Sequence, residues 1–428
     1  GLWEVHQKFG SLPWNELIED AIYYAENGFE ITPFLADILL RYSESLSLFA
    51  ETKEIFQLHY PNFKNKTLVQ KDLANTLKII ASKGRKGFYE GEIAEKISSE
   101  IKKNNGLISK SDLKNYSPVW REPLISNYRD TEIITMGPPS SGGLHVIQML
   151  NILENYDLKK IGHNSLEYIN LLTEVMKFAY ADRSKYLGDP DFYDVPIKKI
   201  TSKKYANDIN KNIQIGKLTP VNEINPGKYM DGESHETTHF SVVDKTGNVI
   251  SMTYTLNSTF GSKVVIEGTG ILMNNEMDDF SAAPGIPNQF NLLGAEANEI
   301  APFKRPLSSM TPTIVLKDKE LFFTTGSPGG ARIISAVLQS IVNIIDFNMN
   351  LEDTTAAKRI HHQWYPDILE YEFTLDNTIE KNLKKMGYKT ESKLPLTCLQ
   401  TIMFSDGMYY GYGDFRRVDA LASGNIND

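Results

Sequence analysis

The chain contains one cysteine, Cys398, among 428 residues. A single thiol cannot form an intrachain disulfide, and it cannot supply a cysteine-rich metal site. Positive charge is also scarce, because 45 Lys and Arg face 54 Asp and Glu and leave a net charge of −9. Binding to nucleic-acid phosphates needs an excess of basic residues, so we expect no nucleic-acid partner. The sequence has no run of about 18 apolar residues, so it predicts no membrane-spanning helix.

The rest of the composition is that of a globular protein, with 41% hydrophobic and 23% charged residues. Apolar spacing predicts a helix-rich first part, and β-branched runs with Gly-Asn turns predict a strand-rich second part. A loop near residue 230, rich in Pro, Gly and Asn, joins the two parts. The predicted helices cover residues 13–27, 34–45, 70–83, 88–103, 144–156, 165–187, 330–346 and 351–360. The predicted strands are 132–136 and the hairpins at 240–255, 313–325 and 398–412.

Residues 235–239 read His-Glu-Thr-Thr-His, a pattern that binds zinc when it lies on a helix. A strand pattern, FSVVD, follows at once at 240–244. In an extended chain His235 and His239 stand about 13 Å apart, at roughly 3.3 Å per residue, and cannot share one ion. A zinc peptidase therefore remains a minor alternative, and we expect neither a metal nor another cofactor.

Thr237 lies where the loop meets this predicted strand, and that position suits a different chemistry. If the bond between Glu236 and Thr237 is cut, the new α-amine lies beside the hydroxyl of the same residue. An α-amine titrates near pH 8 and can accept the hydroxyl proton, so one residue supplies both nucleophile and base. The Thr-Thr pair alone is weak evidence, because most such pairs are ordinary strand residues.

Longer motifs surround Thr237 in a characteristic order. From residue 237 they read TTHFSVVDKTGNVISMTYTLNSTFGS, then NNEMDDF, KRPLSSM and TTGSPGGARI, with MGPPSSGG and YADRSKYLGDPDF upstream. Together they closely resemble the γ-glutamyltranspeptidase family, as far as HHQWYPD at 361–367. The resemblance implies an α+β fold, a four-layer αββα sandwich of the N-terminal nucleophile hydrolase type.

The same resemblance implies self-cleavage between Glu236 and Thr237. The products would be a large-subunit part, residues 1–236, and a small catalytic subunit, residues 237–428. Thr237 would attack glutathione and other γ-glutamyl compounds, and the γ-glutamyl group would pass to water or to an amino acid or peptide. Members of this family are typically exported, which implies a periplasmic or extracellular location, although no basic-then-apolar leader follows Gly1.

Three further residues match catalytic positions of the family. Thr255 matches the threonine that orients the nucleophile, although an ordinary strand threonine explains it equally well. Gly329 and Gly330 match the oxyanion hole, because glycines let backbone N–H groups point at one oxygen and the following helix adds its positive end.

The two charged ends of a glutamyl group have matching partners. The resemblance assigns the α-ammonium group to Asn257, Glu276 and Asp279, and acidic acceptors suit a cation. It assigns the α-carboxylate to hydrogen bonds from Ser308 and Ser309. Exposed acidic pairs and serine pairs also occur in ordinary loops and turns, so these assignments depend on the context.

Residues 284–295 resemble the lid loop of the family, with Phe290 where several bacterial members carry tyrosine. The family also binds the carboxylate with an arginine near the start of the large subunit. The first residues of this chain align well inside that subunit, and Arg121 belongs to a different segment. The resemblance therefore implies that the N-terminal part of the large subunit is missing. Two alternatives stay open, a β-lactam side-chain acylase of the same fold and an uncleaved, inactive truncated homologue.

Overall fold

A computed structural model describes residues 1–57, 63, 66–224, 237–283, 286, 288–289, 291–395 and 397–425. The chain forms two compact units. The smaller unit comprises Gly1–Arg121 with Phe260–Asn275, and the larger unit comprises Glu122–Thr259 with Glu276–Asp428. The predicted division after residue 236 concerns cleavage of the chain rather than packing, and it stays a prediction.

The helices and strands are numbered here in chain order. The helices are α1 (Leu2–Phe9), α2 (Glu19–Asn27), α3 (Pro33–Arg41), α4 (Ser43–Leu46), α5 (Ala50–Ile55), α6 (Lys71–Lys83), α7 (Arg85–Tyr89), α8 (Gly91–Lys103), α9 (Lys110–Asn115), α10 (Gly142–Leu153), α11 (Leu158–Ile161), α12 (Leu166–Tyr186), α13 (Ile197–Ile200), α14 (Lys203–Asn210), α15 (Arg332–Ile345), α16 (Leu351–Ala356) and α17 (Asn377–Met386). The strands are β1 (Phe29–Glu30), β2 (Thr67–Leu68), β3 (Leu124–Tyr128), β4 (Thr131–Thr135), β5 (Thr238–Val243), β6 (Val249–Tyr254), β7 (Val265–Ile266), β8 (Ile271–Leu272), β9 (Thr313–Lys317), β10 (Glu320–Gly326), β11 (Ile360–His361), β12 (Leu369–Glu372), β13 (Thr390–Lys393), β14 (Gln400–Ser405) and β15 (Met408–Gly413).

The smaller unit is mainly helical, as its sequence predicts, and the later segment enters it as the β7–β8 hairpin. Thr76 anchors this hairpin by donating from Oγ1 to the Thr269 carbonyl at 2.8 Å. The single helix predicted over 88–103 is instead two helices, α7 and α8. Gly91 lies at the break with a φ of +70°, a conformation that glycine adopts without strain.

The larger unit is built on a six-stranded antiparallel sheet with the order β15-β14-β10-β9-β4-β3. One row of buried apolar side chains crosses it, because Ile133 pairs with Val315, Val315 with Phe323, and Phe323 with Met403. This row belongs to the same hydrophobic core as residues of α10, α12 and α15. These helices therefore cover one face of the sheet, and their apolar spacing in the sequence had predicted all three.

The β5–β6 hairpin packs on the sheet from the other side, next to β10 and β14. Its inward residues are polar, and Ser251 Oγ donates to the Thr325 carbonyl at 3.4 Å. Its outward residues are large, apolar and exposed, including Phe240, Val242 and Ile250. The hairpin therefore presents its polar face to the sheet, so the space between the two sheets can hold polar chemistry.

No helix in the described ranges has both the length and the apolar character needed to cross a bilayer.

A buried ionic network near the end of the chain gives a test of the fold. Asp414 is fully buried and accepts hydrogen bonds from Arg359 Nη2 at 2.9 Å, Arg416 Nη1 at 3.1 Å and the Leu399 N–H at 2.8 Å. Removing one partner of a buried ion pair leaves an uncompensated charge, so we expect Asp414→Asn to lower the free energy of unfolding by about 3–5 kcal/mol. Urea denaturation measures the change.

The matched control is Asp208→Asn, which breaks an exposed pair with Lys211. Exposed pairs contribute little, so we expect a much smaller change than for Asp414→Asn. Equal effects of the two substitutions would contradict the buried network.

Candidate active site

Thr237 lies directly before β5 and is 8% exposed. Thr238 pairs with Tyr254 across the β5–β6 hairpin, so continuing the register by one residue sets Thr237 opposite Thr255. Opposite residues of an antiparallel pair place their side chains on the same face. The structure therefore brings together the two threonines that the sequence singled out.

His239 lies on the same inward face of β5, two residues after Thr237. Its Nδ1 is 2.7 Å from Thr253 Oγ1, and its Nε2 is 3.3 Å from Ser241 Oγ. Burial lowers the pKa of His239 to about 4, so the ring is neutral at neutral pH. A zinc-binding HExxH motif needs a helix, whereas residues 238–243 form a strand. His235 lies outside the described residues.

The turn that contains Gly329 and Gly330 begins beside this histidine. A Cβ on Gly326, the last residue of β10, would lie 2.1 Å from His239 Cε1, so a larger residue there would displace the His239 ring. Gly329 and Gly330 have φ values of +136° and +55°, and α15 starts two residues later. The turn therefore needs glycine for its conformation, and it places a helix N-terminus directly after these two peptide groups.

Glu276 and Asp279 bound one short 3₁₀ turn, and their side chains are hydrogen-bonded to each other. Burial raises the pKa of Glu276 to about 7, against a smaller lowering by the bond from Asp279. Burial also raises the pKa of Asp279, the negative charge of Glu276 raises it further, and the positive charge of Arg183 opposes both. Two acidic side chains are thus held together at a point where an added cation would relieve their repulsion.

Ser308 and Ser309 lie on a segment that is joined to the loop before α10. The Ser308 N–H donates to the Pro139 carbonyl at 2.9 Å, and the Ser141 N–H donates to the Ser308 carbonyl at 2.9 Å. The hydroxyl of Ser308 accepts from the Met310 N–H at 3.1 Å. Backbone hydrogen bonds therefore hold the serine segment to the loop before α10, although the two are far apart in the sequence.

Arg183, in the last turn of α12, interacts with both the serine segment and the acidic pair. It is 4% exposed, and its Nη2 donates to Ser309 Oγ at 3.0 Å while its Nε donates to Ser141 Oγ at 2.9 Å. Burial lowers the pKa of Arg183 to about 10, and the charge of Asp279 opposes this shift. The sequence alone led to no predicted role for Arg183. Its place in the YADRSKY motif is the sequence feature that could have indicated one.

A further path of hydrogen bonds connects Asn257 to the acidic turn. The Asn257 N–H donates to Thr255 Oγ1 at 2.7 Å. The next residue, Ser258, donates from Oγ to Gln289 Oε1 at 2.6 Å. The Gln289 N–H in turn donates to Asp278 Oδ2 at 2.9 Å. Asn257 itself is buried with a φ of +74°. The predicted residues that follow β6, the acidic turn and the serine segment thus belong to one connected region of the larger unit.

Two predicted residues, Glu236 at the cleavage point and Phe290 in the lid loop, lie outside the described residues. Of the remaining lid segment, Leu292 and Leu293 are buried in the core of the larger unit.

Comparison with known proteins decides the family. A family model described as Gamma-glutamyltranspeptidase matches residues 1–424. The chain belongs to the γ-glutamyltranspeptidase family. The glutathione hydrolase proenzyme of Escherichia coli strain K12 is 49% identical over 420 residues, which cover 97% of this chain and 72% of that protein.

Acylases are also similar to this γ-glutamyltranspeptidase family member. The Acylase ACY 1 proenzyme of Pseudomonas sp. strain SE83 is 37% identical over 393 residues, covering 91% of this chain and 67% of that protein. The crystal structure of a cephalosporin acylase from Bacillus halodurans superposes with a TM-score of 0.84 at 26% identity, covering 97% of this chain and 75% of that one. The predicted fold class is confirmed, since both helices and sheets match the N-terminal nucleophile hydrolase type.

The raised pKa of Glu276 predicts a pH-dependent stability. A carboxyl whose pKa rises from 4.5 to about 7 on folding loses stability as the pH increases through that window. We expect Glu276→Gln to gain melting temperature relative to the parent protein at pH 8, and to gain less at pH 4.5. Thermal unfolding followed by circular dichroism at both pH values measures the difference.

Glu95→Gln serves as the opposite-sign control. The hydrogen bond and charge of Lys110 lower the pKa of this exposed carboxyl, so its removal gains nothing at pH 8. A Glu276→Gln gain that is independent of pH would contradict the assigned cause.

Proposed function

We propose that this chain transfers and hydrolyses γ-glutamyl groups of glutathione and related compounds through a γ-glutamyl ester of Thr237. Family membership supports the reaction class, and a relative that is 49% identical carries the name glutathione hydrolase proenzyme. The observation that carries the proposal is the joint placement of Asp279 and Ser309 around Arg183. That placement offers an acidic partner for an α-ammonium group and hydroxyl donors for an α-carboxylate.

In the proposed activation step, Thr237 Oγ attacks the carbonyl carbon of Glu236, and water then hydrolyses the resulting ester, which leaves a carboxylate on Glu236 and frees the α-amine of Thr237. The chain then consists of a large-subunit part, 1–236, and a small catalytic subunit, 237–428. The free amine accepts the proton of Thr237 Oγ as this oxygen attacks the γ-carbonyl carbon of the substrate. Thr255, opposite Thr237 in the hairpin register, orients the hydroxyl.

The negative charge of the tetrahedral intermediate falls on the former carbonyl oxygen. We assign its stabilisation to the N–H groups of Gly329 and Gly330, with the N-terminus of α15 behind them. Collapse of the intermediate breaks the amide bond, and the departing amine takes the proton held by the Thr237 α-amine. Water or an acceptor amine then attacks the ester, gives its proton to the same α-amine, and releases Thr237.

The Glu276–Asp279 pair, with Asn257, is the proposed ammonium subsite, and Ser308 and Ser309 form the carboxylate subsite. An ammonium group supplies the cation that the acidic pair lacks, so its arrival favours ionisation of both carboxyls. The hydroxyls donate to the carboxylate as neutral partners. A substrate that carries both charges on one carbon is held by both subsites at once.

The first test of this mechanism is Thr237→Ala. Without the side-chain hydroxyl, we expect no cleavage and one 428-residue band on denaturing electrophoresis, in place of fragments of 236 and 192 residues. Hydrolysis of γ-glutamyl-p-nitroanilide should fall by at least about a thousandfold, as for loss of other catalytic nucleophiles.

Thr238→Ala is the matched control, because the Thr238 side chain is exposed on the outward face of the hairpin. It should cleave and react like the parent protein. If the parent chain stays uncleaved and inactive, the uncleaved homologue is the better description.

A side-chain acylase is the second candidate, and the similarity to two acylases favours considering it. A glutaryl group differs from a γ-glutamyl group by lacking the α-ammonium. An acidic pair at the site serves no purpose for such a substrate, and the repulsion within it would remain unrelieved. The preference between the two acyl groups therefore separates the candidates.

We expect the parent protein to favour γ-glutamyl-p-nitroanilide over glutaryl-p-nitroanilide in kcat/KM. Asp279→Asn should remove about 10- to 100-fold of this preference, the range for loss of one buried charge-assisted interaction. Initial rates on both anilides give the ratio. A parent protein that prefers the glutaryl anilide would instead identify an acylase.

We also propose that the protein acts outside the cytoplasm, in the periplasm or the extracellular space, as its family resemblance implies. Fractionation of producing cells tests this location.

A further inference from the structure

Two motifs of the sequence have no role in the mechanism above, YADRSKY around Arg183 and GPPSSGG at 137–143. The structure joins both of them to the serine segment 308–310. Ser140 Oγ donates to the Met310 carbonyl at 2.6 Å. A Cβ on Gly142 would lie 2.0 Å from Thr311 Oγ1, so the loop can approach the segment this closely only with glycine there. Such dense contacts fix the position of the two serines.

The partners of these serines also restrict where their hydroxyl hydrogens can point. A serine hydroxyl has one hydrogen to donate, whereas a guanidinium group and a backbone N–H can only donate. Ser309 Oγ accepts from Arg183 Nη2 at 3.0 Å, and Ser308 Oγ accepts from the Met310 N–H at 3.1 Å. Each of these bonds leaves the hydroxyl hydrogen pointing elsewhere, available to an anion.

Arg183 also supplies positive charge behind Ser309. Its side chain is 4% exposed, so solvent screens its charge weakly. Charged and titratable groups around it are Asp279, Tyr180 and His145. Burial lowers the pKa of His145 to about 3, so this ring is neutral. Asp279 is thus the acidic group whose charge acts on the arginine, and Ser309 Oγ lies within hydrogen-bond distance of its Nη2.

We propose that Arg183 is a positioning residue for the α-carboxylate of the substrate, acting through Ser309. It orients the Ser309 hydroxyl as a donor and places a buried positive charge behind it, and Ser141 holds the guanidinium in place. This inference rests on the proposed γ-glutamyl specificity of the same site. It assigns a cation to the carboxylate subsite among residues that the structure describes.

Three anilides isolate the carboxylate, with γ-glutamyl-p-nitroanilide as the reference. Glutaryl-p-nitroanilide keeps the carboxylate and lacks the ammonium, and 4-aminobutanoyl-p-nitroanilide keeps the ammonium and lacks the carboxylate. At pH 9, we expect Arg183→Met to raise KM for the two carboxylate-bearing anilides by at least about tenfold, with kcat changed much less. The KM for the 4-aminobutanoyl anilide should stay within about twofold.

Arg183→Lys keeps the charge but loses the planar fork, so we expect it to recover part of the carboxylate-dependent loss. Ser141→Ala removes one hydrogen-bond acceptor of the guanidinium. It should raise KM for the same two carboxylate-bearing anilides, but by a smaller factor than Arg183→Met.

Tyr128→Phe is the stability control, since it removes a buried hydroxyl bond to Asp346 at one end of β3. The opposite end of β3, at Leu124, is the end in register with Thr313, which follows the serine segment. Tyr128→Phe should alter the melting temperature without any substrate dependence.

A second readout is the pH dependence of KM for the γ-glutamyl anilide. Asp279 is surrounded by Glu276, Asp278 and Arg183, and only Arg183 favours its ionised form. In Arg183→Met, the increase in KM at acidic pH should therefore begin at a higher pH than in the parent protein. In Arg183→Lys, it should begin near the same pH as in the parent protein.

Equal losses on all three anilides would overturn the proposal and leave Arg183 a purely structural residue. If Arg183→Met does not fold, the Arg183→Lys and Ser141→Ala comparisons decide in the same way. Failure of the proposed function looks different. A parent protein that prefers the glutaryl anilide would refute γ-glutamyl specificity, while a carboxylate-dependent loss in the variants would still support the role of Arg183.

Discussion

Burial of one face of the six-stranded sheet under α10, α12 and α15 is the constraint on which the site depends. The row from Ile133 to Met403 must face these helices, and side chains alternate along every strand. The neighbouring positions of β10 must then face the β5–β6 hairpin, where Gly326 meets His239. A one-residue slip would set apolar side chains against the polar face of the hairpin. Packing of the sheet against the helices therefore determines which residues face the β5–β6 hairpin.

Charge in the site is balanced at some expense to stability. Burial raises the pKa of both Glu276 and Asp279, the charge of Glu276 raises that of Asp279 further, and Arg183 lies buried among serine hydroxyls. Groups of this kind destabilise the empty fold and become favourable when a ligand of opposite charge arrives. The zwitterionic head group of the proposed substrate would supply a cation for the acidic pair and an anion for the serine segment from one carbon.

Local patterns in the sequence were sufficient to predict the long helices and the main hairpins of the larger unit. The hairpin expected at 240–255 is β5–β6, and the helix expected at 165–187 is α12, because each carries its own periodicity. Helix α17 was not predicted although its ends carry local signals, since Asp376 caps its N-terminus and Gly387 ends it in the left-handed conformation. Strand β3 was not predicted, since a short strand takes its structure from tertiary pairing. Arg183 was overlooked for the same reason, as its partners Ser141 and Ser309 lie 42 and 126 residues away. The motifs suggested that Thr237 and Thr255 act together. Their relative position follows only from the register of the β5–β6 hairpin.

Acylases and transpeptidases can share this fold, so the fold alone does not set the substrate. The match to a cephalosporin acylase at a TM-score of 0.84 makes this point directly. Discrimination between a glutaryl and a γ-glutamyl group requires polar groups that interact with the ammonium and lose that interaction when it is absent. The Glu276–Asp279 pair is of this kind, because burial raises the pKa of both carboxyls and a cation would favour their ionised forms, whereas hydroxyl donors and an arginine behind them would accept either group. In the proposed function, specificity for the amino acid head group therefore rests on the acidic turn, and affinity for the carboxylate rests on the serine segment and on the cation proposed to orient it.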